Sequence, residues 1–276
     1  MRIAFSKMQG LGNDFVVINA ITQSFIPTPE QCRIISNRRF GIGCDQVLLI
    51  QAPQRSNTDF YYRIFNQDGS EAEQCGNGAR CIASFIHRQE LSGAQEITLD
   101  TLAGPIHLFL ESITQVRVNM GIPRFRPSEI PFLAESMSSK YTLEIEDYKL
   151  EIGAVSMGNP HAVLQVFKLE PEQIKILGPS IESHSRFPNK VNVGFMQIIN
   201  RSYIKLQVYE RGVGETLACG TGACAAVAVG HLQGLLNDSV LVNQPGGDLN
   251  INWQGEDFPL WMTGPAVWVF DGVIEI

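Results

Sequence analysis

The chain has 276 residues, of which 44% are apolar and 18% charged, with six cysteines and a net charge of −7. This is globular composition with apolar content for more than one core, and no Lys/Arg cluster rises above the acidic background to bind nucleic acid. No apolar run approaches the roughly 18 residues that would span a bilayer, and the opening MRIAFSKMQGLGNDF has no apolar signal core or small-residue cleavage site, so the expectation is a soluble, cytoplasmic protein with reduced thiols.

Runs rich in β-branched and aromatic residues predict strands at 14–19 (DFVVIN), 46–50 (QVLLI) and 60–65 (FYYRIF). Cys32 and Cys44 stand alone in mixed apolar stretches and read as packing residues. Residues 74–81 are QCGNGARC, and a helix is predicted from about Asn77 to Glu90, with Ala79, Ile82, Phe85 and Ile86 at helical spacing. Strands follow at 96–101, 105–110 and 115–120. The prolines of MGIPRFRPSEIP, from Met120 to Pro131, mark a linker. Further strands are predicted at 151–156, 161–167, 193–199 and 203–209. Residues 218–225 are ACGTGACA, and a helix from about Thr221 to Leu236 is small and apolar nearly all round, which predicts that it is enclosed. Strands at 239–243, 249–253 and 258–262 complete the reading. The fold class is α+β, with two similar domains, each a helix wrapped by strands.

Three matches suggest that the halves are duplicates. Cys-Gly-x-Gly-Ala recurs 144 residues apart, with Phe65-Asn66 and Glu71 keeping that offset to Tyr209-Glu210 and Glu215. Gly12-Asn13 resembles Gly158-Asn159, 146 residues on, and Gly43 and Gln46 resemble Gly194 and Gln197, 151 residues on.

A Cys-Gly-x-Gly sequence entering a helix carries a chemical meaning. The thiolate is the useful base, and the unpaired N–H groups of a helix N-terminus favour an anion, which predicts lowered thiol pKa values. Gly76, Gly78, Gly220 and Gly222 let the backbone approach a bound group closely. A zinc site is disfavoured, because C-x5-C and C-x4-C spacings on helices turn the second sulfur away from the first. A single-cysteine nucleophile assisted by His161 leaves the second motif unexplained. Two sulfurs aimed at opposite faces of one carbon suit a racemase or epimerase, which removes a proton from one face and replaces it on the other. That chemistry needs no metal or pyridoxal cofactor, and no P-loop or dinucleotide motif is present. A binding protein that keeps the fold without the chemistry is the reading from another class. By pattern alone, Asn13 also reads as a turn residue, Glu210-Arg211 as a surface ion pair and His161 as a core histidine.

The strings KMQGLGNDFVVI, RIFNQDGSEAEQCGNGARC, SMGNPHAV, NVGFMQI and YERGVGETLACGTGACAAVAVG closely resemble the bacterial diaminopimelate epimerases, as do PGGDL at 245–249 and the tail FDGVIEI. The resemblance implies an enzyme independent of pyridoxal phosphate that interconverts LL- and meso-2,6-diaminopimelate for lysine and peptidoglycan synthesis. The alternative is a racemase or epimerase of another amino or imino acid, such as proline or hydroxyproline. The resemblance also implies domains at 1–119, joined by a returning strand at 265–276, and at 120–264. Cys75 and Cys219 match the catalytic pair, and His161 and Glu210 match residues that assist proton handling. The peptide N–H groups of Gly76, Asn77, Gly220 and Thr221 match those that hold the reacting carboxylate. Asn13, Gln46, Asn66, Asn159, Asn192, Glu210 and Arg211 match further substrate contacts. Arg211 suits a distal carboxylate and Glu210 an ammonium. Thr221 stands where several members carry Ser, harmless if its N–H is the working group. Phe270 stands where a Tyr associated with dimerisation is frequent, which weakens the implied homodimer without removing it.

Overall fold

The structure, a computed structural model, describes residues 1–72, 75–145 and 148–276. The chain divides into two compact units, Met1–Asn119 with Thr263–Ile276, and Met120–Met262. In the first, β1 (Arg2–Gly10) and β2 (Asn13–Asn19) precede α1 (Pro29–Ser36), then β3 (Gln46–Gln51), β4 (Phe60–Asn66) and β5 (Glu71–Ala72) lead to α2 (Gly76–Arg88), and β6 (Glu96–Asp100), β7 (Ile106–Ser112) and β8 (Gln115–Asn119) follow. The second holds β9 (Tyr141–Ile145), β10 (Tyr148–Ser156), β11 (Pro160–Gln165), α3 (Pro171–Glu182), β12 (Asn192–Asn200), β13 (Tyr203–Glu210), β14 (Gly214–Glu215), α4 (Gly220–Leu232), β15 (Ser239–Gln244) and β16 (Gly247–Asn252). After β17 (Trp261–Pro265), β18 (Val267–Glu275) returns to the first unit and pairs antiparallel with β1, from Arg2 opposite Glu275 to Gln9 opposite Val267.

The two units share one topology. In the first, β1–β2 is antiparallel, β2–β3 parallel, β3–β4 and β4–β5 antiparallel, β4–β6 parallel and β6–β7 antiparallel. The series from β10 to β16 repeats those senses in order. Even the register repeats: Phe65 faces Glu71 between β4 and β5, and Tyr209 faces Glu215 between β13 and β14. The expected duplication is therefore present in the fold. One of its three alignments is corrected. Gln46 opens β3 and its topological counterpart is Asn192, which opens β12, not Gln197.

The central strands read as unbroken apolar runs because both of their faces are covered. Phe15 to Ile18 of β2 and Val47 to Ile50 of β3 are all fully buried. With side chains alternating across the sheet, Val16, Ile18, Val47 and Leu49 pack with Cys32 and Ile35 of α1 and with Cys44. The opposite face meets α2, which touches β1, β2, β3, β4, β7, β8 and β18 and is buried from Asn77 to Ile86. In the second unit, α4 is buried from Gly222 to Gly230 and touches β10, β11, β12, β13 and β16, while α3 covers a core containing Ile174, Leu177, Val193 and Phe195. The tight fit around α4 needs Gly153 in β10, where an added Cβ would lie 2.2 Å from Val229.

Several element boundaries differ from the sequence-based expectation. Helices α1 and α3 are additional, one to each unit. A capping box at Thr28 and Gln31 with Pro29 at the first helical position starts α1, but eight residues are too few for a clear apolar stripe. β1 and β9 are also additional, and the strand expected at 258–262 begins three residues later, at Trp261.

Candidate active site

Strand directions bring the candidate residues of each unit to one sheet edge. In the first unit β2 and β3 run parallel, so their first residues, Asn13 and Gln46, share an edge. Antiparallel β4 ends there at Asn66, directly opposite Gln46, and the Gln46 amide donates to Asn66 Oδ1 at 2.9 Å. Cys75 caps the N-terminus of α2 in an extended conformation, and its Sγ accepts from the Gly78 N–H at 3.4 Å. Asn13 Oδ1 accepts both from Cys75 Sγ, at 3.7 Å, and from Asn77 Nδ2, at 3.3 Å. Asn13, Cys75 and Asn77 thus form one contiguous group, with Gln46 and Asn66 a second pair on the same edge.

The second unit repeats the plan. Pro160 opens β11, Asn192 opens β12, and β13 ends at Glu210. Cys219 caps α4, and its Sγ lies 3.6 Å from Thr221 Oγ1. Asn159 donates to that hydroxyl at 3.4 Å, which turns its Oδ1 toward His161 Nε2, 3.0 Å away. Asn192 donates to Pro160 O at 3.0 Å and accepts the Arg211 peptide N–H at 2.9 Å. Glu210 and Arg211 do not pair with each other: Thr216 donates its hydroxyl to Glu210 at 2.6 Å, and the exposed Arg211 guanidinium reaches Asn189 O at 3.2 Å.

The helix starts offer N–H groups to an anion. The first N–H groups of α2 and α4 have no carbonyl partner within their own helix, and Gly76, Asn77, Gly220 and Thr221 occupy those positions. The third helical position must be glycine in both. A Cβ at Gly78 would lie 2.2 Å from Tyr62 Oη, and one at Gly222 would lie 2.9 Å from Val208 and 3.3 Å from Cys219 Sγ.

The expected lowering of the Cys219 pKa is corrected. Burial first, and then the Glu210 carboxylate, push the Cys219 thiol up, overriding the opposing Thr221 hydroxyl and Gly222 N–H. The side chain sits at 6% exposure, where desolvation of a thiolate outweighs the helix end. Cys219 is therefore held as the thiol. Burial, followed by the Arg211 charge, brings His161 down to about 3, so its ring is neutral at physiological pH.

Three supporting residues lay outside the sequence-based list. Gln244, at the end of β15, accepts the Cys219 peptide N–H at 2.8 Å. Asp45 accepts from Asn13 Nδ2 at 2.8 Å, and buried Arg80 donates to Asn77 Oδ1 at 2.9 Å. Their neighbours in sequence, Gln46, the PGGDL segment and the QCGNGARC motif, were the available signals.

Comparison with known proteins agrees with this architecture. The profile of the family described as diaminopimelate epimerase matches residues 5–126 and 153–269. Proteins named diaminopimelate epimerase from Thioalkalivibrio sulfidiphilus and Teredinibacter turnerae are 58% and 51% identical, each comparison covering 100% of both chains. A hydroxyproline epimerase from Agrobacterium vitis has a similar fold, with a TM-score of 0.70 at 15% identity over 99% of this chain and 92% of the other. A phenazine biosynthesis protein of the PhzF family from Bacillus anthracis does too, with a TM-score of 0.69 at 16% identity over 100% of both chains. At such low identity the structural neighbours speak only to fold, whereas the profile spans both halves and the sequence relatives run the full length: the chain belongs to the diaminopimelate epimerase family.

Proposed function

We propose that this protein interconverts LL- and meso-2,6-diaminopimelate without pyridoxal phosphate or a metal, by a two-base proton transfer in which Cys75 and Cys219 are the acid–base pair. The observation that carries the reading is the repeated placement of a cysteine as the cap of a buried helix, at matching points of two duplicated halves, in a member of this family.

In the proposed cycle one sulfur, as thiolate, takes the α-hydrogen as a proton, and the other, as thiol, delivers a proton to the opposite face. The C–H electron pair left on the α-carbon delocalises into the carboxylate, whose growing charge is met by the N–H groups of Gly76, Asn77, Gly220 and Thr221. After one turnover the two sulfurs have exchanged protonation states, so the reverse reaction starts from the product arrangement. The raised Cys219 thiol supports its entering as the proton donor. Neutral His161 and the Glu210 carboxylate adjoin that sulfur's surroundings and assist its proton handling. Asn13, Gln46, Asn66, Asn159, Asn192, Glu210 and Arg211 present the mixed donors and acceptors that two carboxylates and two ammonium groups require.

Incubation with LL-diaminopimelate in D2O is the direct test. The expected result is meso product with deuterium at the inverted α-carbon, and loss of both with Cys75→Ala or Cys219→Ala. Absence of the isomer and of deuterium from the wild-type reaction overturns the reading. Inversion of proline or hydroxyproline in place of diaminopimelate would favour the alternative substrate class.

The proposal extends to a cytoplasmic homodimer serving lysine and peptidoglycan synthesis. Exposed Val269, Phe270 and Val273 on β18 support a self-association surface, with Phe270 edge-on to Phe5 at 6.0 Å. Sedimentation of the wild type and of Phe270→Glu tests it, with a monomeric wild type as the contrary result.

A further inference from the structure

The amide side chains around Cys75 are held in a fixed orientation from both ends. At one end, Asp45 Oδ1 accepts from the Arg38 guanidinium at 2.8 Å, while Oδ2 accepts from Asn13 Nδ2 at 2.8 Å and from the Asp14 peptide N–H at 3.1 Å. A carboxylate has no hydrogen to give, so the atom of Asn13 that faces it must be the nitrogen. Asn13 Oδ1 is thereby turned toward Cys75 Sγ and Asn77 Nδ2. At the other end, Arg80 is wholly buried, bonded to Pro265 O at 3.2 Å and Gly76 O at 3.4 Å, and its Nη2 donates to Asn77 Oδ1. A guanidinium only donates, so Asn77 must present its oxygen there and its nitrogen to Asn13.

Donation therefore runs one way, from Arg80 through Asn77 and Asn13 to Asp45. Neither amide can turn over without losing a charge-assisted hydrogen bond, and such chains polarise their members in the same sense. We propose that Asp45 and Arg80 are positioning residues that act through Asn13, fixing a carbonyl oxygen, and not an amide nitrogen, against the Cys75 sulfur. In the half of the cycle in which Cys75 is the thiol, its hydrogen then has a defined acceptor, and the sulfur is presented in one rotamer. Arg38 extends the clamp by holding Asp45, and it grips Asp14 through two further bonds at 2.9 and 2.7 Å.

The consequence for turnover rests on Cys75 being a reacting group, but the thiol chemistry does not, so the test reads the thiol first. In Asp45→Ala the carboxylate that fixes Asn13 Nδ2 is gone, and Asn13, held only by Asn77, no longer keeps its oxygen fixed against Cys75. Loss of that fixed acceptor and of the nearby negative charge favours the thiolate. The rates of iodoacetamide modification at Cys75 and Cys219, separated by peptide mass analysis, provide the readout, with Cys219 as the reference within the same molecule. The expected change is an increase of about fivefold at Cys75, the worth of one released hydrogen bond, with Cys219, whose partners Gln244 and Thr221 lie outside this chain of bonds, within about twofold. An unchanged ratio, a slower Cys75 or a parallel rise at both cysteines overturns the proposal, the last pointing to general loosening. Should Asp45→Ala not fold, Arg38→Ala weakens the same clamp from a half-exposed position and is expected to move the ratio in the same direction by a smaller factor. If the ratio moves while wild-type protein fails the D2O assay, the positioning stands and the proposed reaction fails.

Discussion

Gln244 reaches from the end of β15 to accept the peptide N–H of Cys219 at 2.8 Å, inside a region where the side chain is 4% exposed. This bond from a neighbouring strand fixes the backbone of the cap residue itself. Gln244 Nε2 is buried and, among the described residues, has no partner. Gln244→Leu would leave the Cys219 N–H unpaired, at a cost of about 1–3 kcal/mol. It would also remove the unpartnered nitrogen, which offsets part of that. The expected net loss of about 1 kcal/mol lowers the melting temperature by roughly 2–4 °C, and the deuterium exchange rate should fall with it. A variant as stable and as active as the wild type would show that the tether has no consequence.

Glu210 raises the Cys219 thiol by its negative charge, second only to burial among the causes. Glu210→Gln removes that charge and keeps the shape, so the Cys219 pKa should come down. At a given alkaline pH the thiolate fraction is then larger, and alkylation at Cys219 should be faster. On the proposed function turnover should nevertheless fall, because a lower thiol pKa does not replace the carboxylate that the proposal assigns to a substrate ammonium. Slower alkylation of Cys219 in the variant would contradict the electrostatic assignment.

His161 links stability to acid. Its folded value, about 3, is below the ordinary 6.5, so the unfolded chain takes up this proton more readily. The stabilisation is complete above about pH 7 and is lost as pH falls through 6.5 toward 3. Between pH 7.5 and 5.0 the loss from this one residue is about 2 kcal/mol. Urea unfolding of the wild type and of His161→Gln at the two pH values isolates it, because Gln can still donate to Asn159 and does not titrate. Equal acid sensitivity of the two proteins would mean that the ring is not buried neutral.

The limits of reading this molecule from sequence are visible in the same residues. The Cys-Gly-x-Gly strings located both helix starts to within a residue, because a capping residue followed by glycines and an apolar run is a local signal. The edge positions of Asn13 and Asn159 also followed from local order. The Cys219 charge state did not, since it depends on burial and on Glu210, which arrives from the preceding strand. Asp45 and Gln244 escaped for a similar reason: each matters through one hydrogen bond made across the fold, to Asn13 and to Cys219. The Gln46–Gln197 alignment failed because similar residues in a strand are weak markers of register, and the pairing of parallel β11 with β12 places Asn192 there instead.

Gly78 and Tyr62 offer the sharpest test of the packing that sets the α2 N-terminus. Tyr62 is 1% exposed, and its hydroxyl has no hydrogen-bond partner among the described residues. Tyr62→Phe should therefore be nearly neutral, or slightly stabilising, because an unsatisfied buried hydroxyl is removed. Gly78→Ala places a Cβ 2.2 Å from that hydroxyl, a contact that forces either the helix or the ring to move. Overpacking of this kind costs about 3 kcal/mol, against a helix-propensity gain near 1 kcal/mol. In the double variant the oxygen is gone, and the next atom the new Cβ meets is Leu48 Cδ1, at 3.3 Å. The double variant should recover about 2 kcal/mol of the single loss, a coupling well above what separate sites show. Denaturant unfolding of all four proteins closes the cycle. Additive losses would mean that the helix start relaxes away from Tyr62, and that glycine at position 78 serves the approach of a bound group more than the packing of the strand.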